Sequence, residues 1–117
     1  MIFKSNAMSV ENKNVIDIVS IDTNENVILT IADHLEWDSG NEHLLILQNK
    51  INAYLASIES GDLYGKYPNA KGRCIIIRVV SLHIPNKEGK IFLDRTKNFL
   101  LTAGYNFQFN QQLMDEE

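Results

Sequence analysis

Hydrophobic and polar positions along this chain fall into four blocks with strand character and two with helical character. The β-branched runs Val15-Ile16-Asp17-Ile18-Val19-Ser20-Ile21 and Val27-Ile28-Leu29-Thr30-Ile31 predict two strands. The polar link Asp22-Thr23-Asn24-Glu25-Asn26 joins them, and short Asp and Asn side chains bond their own backbone and tolerate left-handed conformations. An antiparallel hairpin follows from that pairing. Leu44, Leu47, Ile51, Tyr54, Leu55 and Ile58 then recur at helical spacing on one stripe, with Leu45 and Ile46 off it, which predicts a long amphipathic helix. Ser39 and Glu42 stand at capping-box spacing, so the helix is expected to start at Gly40, and Gly61 ends it.

Residues 63–71 hold Gly65, Pro68, Tyr64 and Tyr67 and read as an irregular loop. Cys74-Ile75-Ile76-Ile77-Arg78-Val79-Val80-Ser81-Leu82 is the most apolar run, a central strand with Cys74 as a small buried packer. Pro85-Asn86 breaks it and Asn86 caps a second helix, whose stripe is Phe92, Thr96, Phe99, Leu100 and Ala103 and whose stop is Gly104. Tyr105-Asn106-Phe107-Gln108-Phe109 alternates with period two, a final strand. The order ββαβαβ predicts an α+β two-layer sandwich, with a four-stranded mixed sheet and two helices on one face. Strand order is not readable from local pattern.

Composition bounds this picture without changing it. With 117 residues, 44% hydrophobic and 22% charged, the chain suits one domain over residues 14–109. Residues 1–13 read as a disordered extension, in which Ser5-Asn6-Ala7 before Met8 resembles the remnant of a cleaved affinity tag, and residues 110–117 as a polar, acidic tail. A net charge of −4 and scattered basic residues argue against nucleic acid as a partner. No apolar run is long enough to span a bilayer, and a single cysteine, Cys74, forms no internal disulfide. A cytoplasmic protein without cofactor is the expectation.

Candidate chemistry gathers in one place. Asp33, His34, Glu36, Trp37, Asp38 and His43 stand between a strand end and a helix start, where ligand or partner sites are often built. Imidazoles and carboxylates of this kind can hold Zn²⁺ or Mn²⁺, with His34, Asp38 and His43 as the candidate ligands, or exchange protons if held within bonding reach. The spacing matches no metal motif. The same residues have a plain structural reading: carboxylates complement a helix N-terminus, and Trp37 plugs the end of the core.

Taken together, Asp33-His34-Leu35-Glu36-Trp37-Asp38, Glu42-His43-Leu44-Leu45, Ile51-Asn52-Ala53-Tyr54-Leu55 and Glu59-Ser60-Gly61 resemble a small bacterial family of unknown function. Tyr67-Pro68 and Ala70-Lys71-Gly72-Arg73 extend the resemblance, which runs from about Val15 to Phe109. It implies a bacterial cytoplasmic domain and carries no activity, cofactor or partner. The expected function is therefore a non-enzymatic protein-interaction domain, self-associating or acting as an accessory or inhibitory partner. The alternative is a metal-dependent enzyme with its site in residues 33–43.

Overall fold

Strand-forming runs and two one-sided helices assemble as one sheet with a helical layer. The computed structural model describes residues 2–4 and 18–111. Its strands are β1 (Ile2–Lys4), β2 (Ile18–Ile21), β3 (Val27–Asp33), β4 (Ile75–Ser81) and β5 (Asn106–Gln111). Its helices are α1 (Glu42–Ser60), α2 (Asp62–Lys66) and α3 (Lys87–Thr102), with a 3₁₀ turn at Pro68–Ala70. The sheet runs β1-β2-β3-β4-β5 in sequence order. β1, β2 and β3 pair antiparallel, whereas β3, β4 and β5 pair parallel, each parallel step crossing over through a helix.

The α+β class and the ββαβαβ core of four strands stand as expected. A fifth strand joins them, because Ile2–Lys4 lies within the stretch set aside as an extension and pairs with β2. The rest of that extension, with Val15-Ile16-Asp17, lies outside the described residues, as do residues 112–117 of the tail. Asn110 and Gln111, assigned to the tail, instead continue β5 opposite Val80 and Ser81. The 63–71 stretch is not irregular throughout. Buried Leu63 and Ala70 anchor α2 and the 3₁₀ turn against the core.

Period-two alternation decides which side chains enter that core. Val27, Leu29 and Ile31 of β3 stand in register with Ile75, Ile77 and Val79 of β4, and all six are buried with Val19 and Phe107. Leu47, Ile51, Tyr54 and Ile58 of α1 and Leu93 and Leu100 of α3 join the same cluster, so both long helices cover one face. Each fully buried aliphatic side chain contributes roughly 1.5–3 kcal/mol. Lys50 also falls on the buried stripe of α1, its ammonium 5.6 Å from the Tyr54 ring centroid. The periodic apolar pattern passes over that position.

Three local expectations change. α1 starts at Glu42, not Gly40, because Asn41 adopts a left-handed conformation (φ 62°) and Asp38, not Ser39, caps the first turn. α3 is rotated about its axis: Gly89, Leu93 and Leu100 face the sheet, while Phe99 is 59% exposed and Ala103 is exposed. Cys74 is exposed, since β4 begins one residue later. Gly61 does end α1, at φ 90°, and the Asn86 Oδ1 accepts from the Gly89 N–H at 2.8 Å as the cap of α3. No helix among the described residues is long and apolar enough to cross a membrane.

Candidate functional site

The alternation that buries Leu29 and Ile31 continues to Asp33, the last residue of β3, and puts its carboxylate under the helical layer. An aspartate there needs compensation, because an unpaired buried carboxylate is costly. His43, in the first turn of α1, supplies it. Its Nε2 lies 2.8 and 2.6 Å from the two Asp33 oxygens, and the two side chains are 2% and 0% exposed. Asp33 Oδ1 also accepts from the Leu35 N–H at 3.2 Å.

Asp38 fixes where His43 stands. Its carboxylate accepts from the backbone N–H of His43 at 2.9 Å and of Glu42 at 3.1 Å, the two donors a helix start leaves unpaired. Those bonds favour the ionised form. The His43 N–H, followed by the Glu42 N–H, holds the Asp38 carboxyl below the usual aspartate value of 3.8. Trp37 closes the assembly from outside: its ring centroid is 4.1 Å from that of His43 at 45°, and its Nε1–H donates to the His83 carbonyl at 3.3 Å. The indole rests on α3 where a side chain would otherwise be. A Cβ at Gly89 would stand 2.6 and 2.7 Å from Trp37 Cε3 and Cζ3. Ser81, opposite Asp33 in register and fully buried, donates from Oγ to the His83 carbonyl at 2.8 Å and orders the segment that Trp37 reaches.

Asp33, Trp37, Asp38 and His43 are thus one unit, and the other candidates are not part of it. His34 and Glu36 are exposed, and Glu36 rims a shallow pocket of about 280 Å³ that Asp38, Glu42 and His43 also line. His34, Asp38 and His43 do not converge as metal ligands: Asp38 serves backbone amides, and the Nε2 of His43 faces Asp33. Among the described residues no group of three or more His, Cys, Asp or Glu side chains is placed to hold a metal ion.

With Nε2 directed at both carboxylate oxygens, the imidazole donates a proton there, and Nδ1 is the ring nitrogen that Asp33 does not engage. Acid-base work would have to pass through Nδ1. That atom is buried and has no hydrogen-bond partner among the described residues. The arrangement ties the start of α1 to the end of β3 and seals the join with an indole. Gly89 and Ser81 escaped the sequence reading, although a glycine inside a helix, about 1 kcal/mol worse than alanine there, is itself a sign of close packing.

A second feature lies on the helical layer. α1 and α3 leave between them a groove of about 390 Å³, lined by Ile51, Phe92 and Phe99 with Gln48, Asn52 and Arg95 along it. Phe99 presents its ring there instead of to the core.

A family model matches residues 8–113, from Met8 through the whole of β5. The chain belongs to DUF6572, a family of unknown function. The DUF6572 match takes in the Asp33–His43 pair, Trp37, Gly89 and the α1–α3 groove, while β1 precedes it. No curated protein and no solved structure matches this DUF6572 chain.

Proposed function

We propose that this DUF6572 domain is a non-enzymatic protein-interaction module of the bacterial cytoplasm, and that the α1–α3 groove receives its partner. The observation that carries the reading is Phe99, a large apolar side chain 59% exposed beside half-buried Phe92 and the core residue Ile51. Exposed aromatic clusters of this kind serve as docking anchors. Arg95, the charged side chain on the groove, suits a partner segment that presents an apolar side chain next to an acidic one. The Asp33–His43 unit supports the same reading, since Nε2 is taken up by the buried Asp33 carboxylate and Nδ1 is buried without a hydrogen-bond partner among the described residues. An exposed Cys74 with no second cysteine in the chain is in keeping with a reducing compartment.

The test is capture from native lysate by immobilised protein, run in parallel with Phe99→Glu. Partners held by the unaltered domain and released by Phe99→Glu, with unchanged far-UV circular dichroism, are the expected result. Identical capture by both proteins, or none by either, counts against the groove.

A further inference from the structure

Sheets usually guard their edges with short strands, charges or prolines, because an open edge offers unpaired N–H and C=O groups to any passing strand. The β1 strand follows that practice in being only three residues long. β5 does not. It runs for six residues, Asn106-Phe107-Gln108-Phe109-Asn110-Gln111, with no charge, no proline and no lysine. Among the described residues it is the end strand of the sheet and bonds to β4 alone, so alternate residues direct their backbone groups outward.

Beside this edge, α3 carries Lys90, Asp94 and Lys97 at exposed positions, and with Phe107 and Phe109 they line a groove of about 540 Å³ between α3 and β5. This is the flank of α3 opposite the one that carries Phe92 and Phe99. With a two-fold axis between Asp94 and Lys97, the stripe sets each carboxylate against the ammonium of its inverted copy, with Lys90 outside the pair.

We propose that a second copy of this chain pairs antiparallel with β5 about a two-fold axis at Gln108, joining the two sheets into one. In that register Phe107 of each copy stands opposite Phe109 of the other on the helix-covered face, and Asn106 stands opposite Asn110 on the other face, because opposed residues of an antiparallel pair share a face. The same axis sets the two α3 helices side by side and antiparallel, so that Asp94 of one copy meets Lys97 of the other. The contact is isologous and closes on itself, which yields a dimer instead of a fibre. The pairing is separate from the α1–α3 groove.

Sedimentation equilibrium of the full chain tests it. The unaltered protein sediments at twice its 13.3 kDa monomer mass. Asn106→Lys with Asn110→Lys changes two exposed side chains and opposes like charges across the joint, raising the dissociation constant by more than about a hundredfold. Asp94→Lys raises it about tenfold, and Asp94→Lys with Lys97→Asp returns it to within about threefold of the starting value. Phe99→Glu leaves the mass unchanged, which keeps this surface distinct from the proposed groove. A monomer at submillimolar concentration, a dimer that survives the two lysines, or a charge swap that fails to rescue overturns the pairing. None of these three results bears on partner capture through Phe99.

Discussion

Replacing Gly89 with alanine inverts an ordinary rule of helix stability. In an exposed helix interior the change gains about 1 kcal/mol, because glycine loses more backbone freedom on folding. At Gly89 the new methyl would lie 2.6 Å from Trp37 Cε3 and 2.7 Å from Cζ3, so the indole has to move by about an ångström. That movement lifts the ring off His43 and pulls Nε1 from the His83 carbonyl. Overpacking of this kind costs about 1–3 kcal/mol, and the disturbed aromatic contact about 0.5–1.5 kcal/mol more. Set against the helix gain, Gly89→Ala destabilises the domain by about 2 kcal/mol. In a Trp37→Ala background the obstacle is gone, and the same substitution stabilises by about 0.5–1 kcal/mol, slightly reduced by the Asn86 Oδ1 at 3.1 Å.

The coupling between the two sites is therefore about 2–3 kcal/mol, well above the scatter of independent positions. Urea denaturation of the four proteins measures it. Far-UV circular dichroism is the probe, since Trp37 is the only tryptophan and its fluorescence disappears with it. A Gly89→Ala protein more stable than the original, or equal effects in both backgrounds, would refute the packing described for Trp37.

Three further outcomes follow from the same packing. His43→Ala leaves Asp33 buried beside a cavity and lowers unfolding free energy by about 3 kcal/mol in urea titrations, and Asp33→Ala in a His43→Ala background adds much less than it does alone. Asp38 is held below its ordinary value by the His43 and Glu42 N–H groups, so its contribution is complete above pH 3.8 and is lost as pH falls through the lower folded value; amide exchange at Glu42 and His43 accelerates there, and in Asp38→Ala it is fast at neutral pH too. Leu100→Ala costs about 3 kcal/mol while Phe99→Ala costs under about 1 kcal/mol, a contrast that thermal or urea unfolding reads directly and that tests the rotation of α3.

That rotation shows why some of the fold was legible in the chain and some was not. Hydrophobic runs marked β3 and β4, and Gly61 and Asn86 marked real helix ends, because local backbone chemistry acts there. α3 offered two overlapping apolar stripes, one through Phe92 and Phe99 and one through Leu93 and Leu100. Only the sheet below decides between them, and it takes the second. Strand order and the Ile2–Lys4 strand rest on pairing between distant segments, which local pattern does not carry.

The candidate site was half visible. Of the candidates gathered from the sequence, the structure brings Asp33, Trp37, Asp38 and His43 together, and the alternation of β3 buries Asp33 so that its carboxylate is taken up by His43. Had the period-two pattern of Leu29 and Ile31 been carried two residues further, it would have pointed to a buried aspartate in need of a partner.

The Asp33–His43 unit is either a closed structural join or an open acid-base site. Nitrogen-edited NMR of the imidazole groups at neutral pH answers this directly. The closed unit predicts a His43 Nε2 proton that is visible and slow to exchange, against rapid exchange at exposed His34. A His43 ring proton that exchanges with water as fast as that of His34 would contradict the closed unit and return residues 33–43 to consideration as a catalytic site.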